Sequence, residues 1–253
     1  SMKILNPLGE DTSIMRTTIL PSMLEILTRN YNYRNKAVRL YEIGKVYFAR
    51  PDGMADEPKL LCLGGYGGMD FFQLKGAVER ILAGLRITDV TFEAEHDNPS
   101  YHPGRCAKVY AGGKLLGVLG QIHPLAAANY GVDAELYTAE LWLGELLAAR
   151  GATPVYTPLP RFPAVTRDIA IVCAADIPVA KLSACILAAG GQYLKGCELF
   201  DVYTGAPIPV GYKSVAFSLT LRADDQTLTD DHAEETMQSV LKALKETFNA
   251  TIR

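Results

Sequence analysis

The sequence predicts an α+β protein made of two domains, each built on an antiparallel sheet. Three observations predict this class. A proline-rich stretch interrupts the chain at residues 151–163. Before it, over residues 1–150, helical and strand patterns mix, and the Gly112-Gly113 pair joins two strand-like runs as in a hairpin. After it, over residues 164–253, strands and helices follow each other in the order βαββαβ, which is the ferredoxin-like arrangement.

The stretch 151–163 contains four prolines, at positions 154, 158, 160 and 163. Proline removes a backbone donor and clashes with a helical turn, so this segment cannot form a helix and favours extended chain. We therefore expect a linker between the two domains.

In the first domain the patterns predict four helices and five strands. A helix is expected through Met23 with Pro21 in its first turn, another over 71–85, a third after His123-Pro124, and a fourth over 143–149. The expected strands are 39–48, 60–64, 106–110, 115–121 and 137–142.

The second domain is more regular. Its strands are predicted at 168–173, 198–203, 213–222 and 250–253. Asp176 is the expected N-cap of the first helix, which Gly190-Gly191 ends. The second helix has an apolar face at helical spacing and an N-cap among Thr229, Asp230 and Asp231.

The βαββαβ order places both helices on one face of the second sheet and leaves the other face open. Alternation along each strand then assigns side chains to the two faces. The expected inward residues are Val215, Phe217, Leu219 and Leu221 on the third strand, Phe200 and Val202 on the second, and Ile169 and Ile171 on the first. The open face then includes Ala170 of the first strand, Asp201 and Tyr203 of the second, and Ser214, Ala216, Ser218, Thr220 and Arg222 of the third.

Such a surface suits unstacked bases. Small side chains let a base lie flat on the sheet, Tyr203 offers a stacking plane, and Asp201 can accept hydrogen bonds from exocyclic amines. The alternative interpretation is that Asp201 and Tyr203 are ordinary exposed strand residues. Alternation alone does not decide between the two.

Charge by itself does not indicate RNA. Residues 151–253 hold nine Lys/Arg against eleven Asp/Glu, whereas nucleic-acid-binding domains usually carry a basic excess. Binding of RNA would therefore have to depend on a local surface.

No pattern indicates catalysis or a metal site. The four histidines lack ligand spacing, and the glycine-rich stretch 64–68 is followed by no Lys-Ser or Lys-Thr pair. The five cysteines are scattered without a Cys-x-x-Cys pair, which favours reduced thiols in a cytoplasmic protein. We expect no catalytic residue and no metal ligand in this chain.

Four motifs of the second domain carry a family resemblance. They are Phe162-Pro-x-x-x-Arg167-Asp168-Ile-Ala170, Leu199-Phe-Asp201-x-Tyr203-x-Gly205, Lys213-Ser214-Val-Ala-Phe-Ser-Leu and Gln226-Thr-Leu-Thr-Asp230. Together they resemble the ferredoxin-fold anticodon-binding domain that ends the bacterial phenylalanyl-tRNA synthetase β subunit. In that family the open sheet face meets the tRNA anticodon loop, so the resemblance implies that Ala170, Asp201, Tyr203 and Ser214 contact tRNA.

Motifs of the first domain resemble a different part of the same subunit. They include Asn6-Pro-Leu8, Met15-Arg16-Thr-Thr-Ile-Leu-Pro21, Tyr41-Glu42-Ile-Gly44, His102-Pro-Gly-Arg105 and Gly120-Gln-Ile-His123-Pro124. These are similar to its inactive, catalytic-like module, which shares the class II synthetase sheet. Two departures are present: residues 63–70 are shorter than in the family and lack its usual Trp, and Gln121 stands where Glu is common.

The resemblance implies a fragment of a larger β subunit. Its expected partners are the catalytic α subunit, in an (αβ)2 assembly, and tRNA(Phe). The complete enzyme would use ATP and Mg²⁺ to attach phenylalanine to tRNA(Phe), and this fragment alone is expected to hold no cofactor.

Two alternatives from other classes remain. One is a ferredoxin-like small-molecule regulatory module attached to a degenerate class II domain. A glycine-rich first β–α turn would support this alternative, and the residues Cys173-Ala-Ala-Asp176 do not supply one. The other is an autonomous enzyme on the class II sheet, which would require ATP turnover by this chain alone.

Overall fold

The computed structural model describes residues 2–253. The chain divides into two compact units, the first ending at Pro154 and the second running from Val155 to Arg253. The division falls inside the proline-rich stretch 151–163.

The first unit is a six-stranded antiparallel sheet with helices on both faces. After a short 3₁₀ helix at Glu10–Thr12, its helices are α1 Leu20–Asn32, α2 Phe71–Gly84, α3 Pro124–Asn129 and α4 Leu143–Ala148. Its strands are β1 Val38–Lys45, β2 Phe48–Ala49, β3 Ala55–Asp56, β4 Lys59–Tyr66, β5 Val90–Ala94, β6 Tyr101–Ala111, β7 Lys114–Ile122 and β8 Tyr137–Trp142. The sheet order is β1-β4-β8-β7-β6-β5, and β2 and β3 form a separate small ladder.

Two apolar cores cover the two faces of this sheet. One gathers α1 and α3 with side chains such as Leu60 and Cys62 of β4. The other gathers α2 and α4 with Leu61 of the same strand. Because β4 is covered on both faces, its sequence is a continuous apolar run, which is typical of central strands. This mixed antiparallel architecture confirms the predicted α+β class.

The second unit contains β9 Val165–Ala174, α5 Val179–Ala189, β10 Leu194–Tyr203, β11 Tyr212–Leu221, α6 Asp230–Phe248 and β12 Thr251–Ile252. Its four strands pair antiparallel in the order β10-β11-β9-β12. The predicted βαββαβ ferredoxin-like arrangement is therefore confirmed. Both helices pack on one face, and the buried set includes the predicted inward residues of β9 and β11.

Two predictions for this unit were wrong. Phe200 was expected in the core, but the register shifts between Leu199 and Asp201, and Phe200 is the extra residue of a β-bulge with 58% of its surface exposed. A bulge interrupts strict alternation, so Leu199 takes the core-facing position instead. The helix α5 has Pro178, and not Asp176, at its N-cap.

Within residues 2–253, no helix is both long enough and apolar enough to cross a membrane.

Candidate nucleic-acid interface

The four predicted contact residues lie in two adjacent rows across the second sheet. In one row, Asp201 of β10 pairs with Ala216 of β11, which pairs with Ala170 of β9. In the next row, Tyr203 pairs with Ser214. Ala170, Asp201, Tyr203 and Ser214 therefore share the face opposite the helices, because Val215 between the rows is fully buried in the helix-covered core.

The bulge at Phe200 is what keeps Asp201 on this face. Without the extra residue, every position of β10 beyond Leu199 would turn to the opposite side. With it, Leu199 faces the core opposite Phe217, and Asp201 faces away opposite Ala216. The alternation that places Asp201 and Tyr203 on the open face therefore holds only from Asp201 onward, and the change of phase at Phe200 is what periodicity could not predict.

Tyr203 forms a fixed wall at one side of the face. Its hydroxyl donates a hydrogen bond of 2.8 Å to the carbonyl oxygen of Ala206. Gly205 leaves room for this arrangement, because a Cβ at position 205 would lie 2.4 Å from the Tyr203 hydroxyl. The ring is 40% exposed, so it presents a fixed aromatic surface to solvent.

Beside Tyr203, the surface of the open face is made of small residues. Ser214 lies on the predicted face but is only 3% exposed, and its neighbour Ala216 is also buried. Ala170 is half-buried. A base placed on Tyr203 would therefore rest on a flat backbone surface with little side-chain relief, rather than in a deep pocket.

Asp201 supplies the polar edge of the site. Its side chain is exposed, and among residues 2–253 its carboxylate has no ion-pair partner. A carboxylate with free lone pairs can accept hydrogen bonds from exocyclic amines or ring N–H groups of a base.

Arg253 is a residue of this face that the alternation argument did not assign. Its guanidinium carbon lies 5.7 Å from the centroid of the Tyr203 ring. The predicted strand 250–253 was too short for its faces to be assigned from alternation. The register with β9, seen only in the folded chain, identifies its position.

The first unit holds a cavity of about 220 Å³, lined by residues that include Thr18, Lys108 and Glu140. Glu140 accepts hydrogen bonds from the Thr18 hydroxyl at 2.6 Å and from the backbone N–H of Ile19 at 2.7 Å, at the start of α1. Lys108 pairs with Glu95, and hydrogen bonding to Lys108 lowers the pKa of that glutamate. These polar groups are committed to holding the fold.

Among the side chains of residues 2–253, no group of three or more His, Cys, Asp or Glu could hold a metal ion. The histidines stand apart: His123 accepts from the N–H of Leu125 at the start of α3, and His232 stacks on Tyr193.

The fold and the face define a class: an open-faced ferredoxin-like domain that follows a mixed antiparallel domain. Known families match both parts. Residues 1–143 match the phenylalanyl tRNA synthetase beta chain CLM domain, and residues 160–253 match the ferredoxin-fold anticodon binding domain. The chain belongs to the phenylalanyl-tRNA synthetase beta chain family.

Curated relatives agree along the whole length. The phenylalanine–tRNA ligase beta subunit of Clostridium acetobutylicum is 41% identical over 254 residues, covering 100% of this chain and 32% of the relative. That of Clostridium tetani is 40% identical over 255 residues, with the same coverage. The chain thus spans about a third of the length of these relatives. These matches favour the anticodon-binding interpretation over the small-molecule regulatory alternative.

Proposed function

We propose that this chain is the portion of a phenylalanine–tRNA ligase β subunit that binds the anticodon region of tRNA(Phe) and supports the catalytic subunit. The observation that carries the proposal is the placement of Ala170, Asp201, Tyr203 and Ser214 in two adjacent rows of the face that α5 and α6 leave uncovered. Family motifs and strand alternation select these residues for separate reasons.

Each residue has a chemical role in the proposed site. Tyr203 stacks on an unpaired base, and Asp201 accepts hydrogen bonds from the edge of that base or its neighbour. Ala170 and Ser214 keep the floor low enough for the base to approach the sheet. The Ser214 hydroxyl can bond to the base once the base has closed over it.

The first unit is proposed to act as a scaffold for the catalytic α subunit. Exposed apolar side chains on its edge strand β1, Tyr41 and Ile43, support a partner surface. In the complete (αβ)2 enzyme, ATP and Mg²⁺ would serve phenylalanine activation on the α subunit, and the assembly would work in the cytoplasm.

The proposal is tested by binding the chain to tRNA(Phe) and to a tRNA(Phe) whose anticodon has been replaced. We expect tighter binding of the natural anticodon, measured by fluorescence anisotropy at low salt because phosphate contacts weaken as salt rises. Equal affinity for both RNAs, with a folded protein by circular dichroism, would contradict anticodon recognition.

A second measurement separates the scaffold role from RNA binding. The α subunit is mixed with the unaltered chain and with Tyr41→Asp, and complex formation is followed by size-exclusion chromatography. We expect Tyr41→Asp to weaken the complex without changing tRNA affinity, because Tyr41 lies in the first unit.

A further inference from the structure

Arg253 extends the edge of the second sheet beyond β12. Thr251 and Ile252 pair with Val172 and Ile171 of β9. The backbone N–H of Arg253 continues this ladder by donating to the carbonyl oxygen of Ala170 at 2.9 Å. Because Ile252 is opposite the core-facing Ile171, alternation puts the Arg253 side chain on the open face, in the row of Ala170.

The guanidinium of Arg253 reaches across this face to Tyr203. Its central carbon lies 5.7 Å from the ring centroid, within cation–π range. Two strands, β9 and β11, separate β12 from β10. The two long side chains therefore meet above the small residues between them, among which Ser214 and Ala216 are buried.

The charges on the face give this arginine its significance. The register places three acidic side chains on the open face, Asp168, Glu198 and Asp201. Among the open-face positions of β9, β10 and β11 in the described chain, none is Lys or Arg. Such a face repels a phosphate backbone unless a cation stands beside the stacked base.

Other basic residues of this unit lie elsewhere. Lys195 is paired with Asp224 at 2.7 Å, and Arg167 with Asp230 at 3.2 Å. Arg222 follows β11 eight positions after Ser214, which corresponds to about 27 Å along a strand. Arg253 is thus the guanidinium that the fold brings to Tyr203.

We propose that Arg253 is a phosphate-binding residue of this RNA site, an inference that rests on the proposed function. Before RNA binds, the guanidinium lies over the Tyr203 ring. When a base stacks on that ring, the guanidinium moves to a phosphodiester of the same strand. The exchange is favourable because a bidentate, charge-assisted bond to phosphate is stronger than an exposed cation–π contact.

The test uses the full chain and a synthetic RNA hairpin with the anticodon stem–loop sequence of tRNA(Phe). Affinity is measured over a KCl series for the unaltered chain, Arg253→Gln and Arg253→Lys. We expect Arg253→Gln to reduce the slope of log K against log salt by about 0.7, which is the value for one phosphate contact on a single strand. Over a tenfold rise in salt, the affinity of the variant should therefore fall about fivefold less than that of the unaltered chain. Arg253→Lys should keep the slope and bind less tightly, because lysine lacks the planar fork.

Lys242→Gln is the matched control. It removes the same charge from an exposed position on α6, on the helix-covered side of the sheet, so its slope should equal that of the unaltered chain. If Arg253→Gln has the same slope and affinity as Lys242→Gln, the inference is overturned while hairpin binding by the unaltered chain still supports the proposed function. If the unaltered, folded chain binds no hairpin at low salt, the proposed function and this inference both fail.

Discussion

The hydroxyl of Tyr203 donates a hydrogen bond of 2.8 Å to the carbonyl oxygen of Ala206, three residues further along the chain. This bond joins the end of β10 to the turn that follows it, and it fixes the plane of the aromatic ring before any ligand arrives. A pre-ordered ring loses less side-chain entropy when a base stacks on it.

The first prediction concerns the ring itself. We expect Tyr203→Ala to weaken binding of tRNA(Phe) by about 1–3 kcal/mol, because base–aromatic stacking has that size. Tyr203→Phe keeps the stacking surface and loses only the bond to Ala206, so it should bind more tightly than Tyr203→Ala and less tightly than the unaltered chain. Fluorescence anisotropy with labelled tRNA measures both. Tyr33→Ala, at an exposed tyrosine of the first unit, is the control, and a Tyr203→Ala affinity equal to that control would remove Tyr203 from the site.

The second prediction displaces the ring without changing it. A Cβ at position 205 would lie 2.4 Å from the Tyr203 hydroxyl and 2.7 Å from its ring carbon Cζ. We therefore expect Gly205→Ala to break the bond to Ala206 and to weaken tRNA binding, while the thermal unfolding temperature changes little because the ring is exposed. Gly196→Ala on the same strand is the matched control, since its added Cβ would come no closer than 3.6 Å to Thr220. Equal tRNA affinity of the two variants would show that Gly205 does not position the ring.

The sequence was sufficient to predict the ferredoxin-like fold of the second unit because its apolar residues recur at regular strand and helix spacing. Strict alternation on β11 and helical spacing on α6 both correspond to buried residues. The bulge at Phe200 was missed because an extra residue leaves no mark in composition, and Phe is as suitable for the core as for a bulge. Arg253 was missed because its place depends on the pairing of β12 with β9, which is a long-range contact.

In the first domain the errors were of another kind. Strand β5 at Val90–Ala94 was not predicted although its apolar and polar residues alternate, because five residues at the sheet edge give only a short signal. The predicted strand 39–48 ends at Lys45, with Phe48 in a separate small ladder.

The third prediction concerns the start of α1. Its N-cap residue, Ile19, makes no capping hydrogen bond with its side chain. Glu140 of β8 supplies the acceptor instead, and its carboxylate accepts hydrogen bonds from the N–H of Ile19 at 2.7 Å and from that of Leu20 at 3.2 Å. Removing such a cap leaves helix donors unpaired, so Glu140→Ala should destabilise the first unit by about 1–3 kcal/mol. Denaturant unfolding measures this. Glu140→Gln retains an acceptor oxygen and should lower the free energy of unfolding by less. A decrease as large as that of Glu140→Ala would show that the negative charge matters more than the cap geometry.

The fourth prediction concerns the thiols. Burial raises the pKa of Cys62 and Cys173, and it raises the pKa of Cys106 to about 12. Because the thiolate is the reactive form, these three should react slowly with a disulfide reagent at pH 8 in the native protein and rapidly after unfolding in guanidinium. Cys185, which is only half-buried, should react first. Mass spectrometry of partly labelled protein identifies the sites. Early labelling of Cys62 would mean that the apolar core beneath α1 and α3 opens under native conditions.

The fifth prediction concerns pH and Glu135. A hydrogen bond from the Tyr137 hydroxyl at 2.7 Å and another from Arg105 at 2.9 Å favour the ionised carboxylate and lower its pKa in the folded chain. A lowered folded-state pKa means that the stabilisation is complete above the ordinary glutamate pKa of about 4.3 and is lost as pH falls through the lower, folded value. Arg105 also donates to Gln121 at 2.7 Å, so the arginine stays anchored when Glu135 is replaced.

Glu135→Gln therefore isolates the charge. Since Glu135 is exposed, its ion pair contributes no more than about 1 kcal/mol. We expect the variant to be slightly less stable than the unaltered chain at pH 7 and to approach it in stability as pH falls through the lowered pKa of Glu135. Urea unfolding of both proteins between pH 3 and pH 7 measures the difference. A stability gap that stays constant over that range would show that Glu135 acts through its shape and hydrogen bonds alone, because only a titrating charge makes the gap depend on pH.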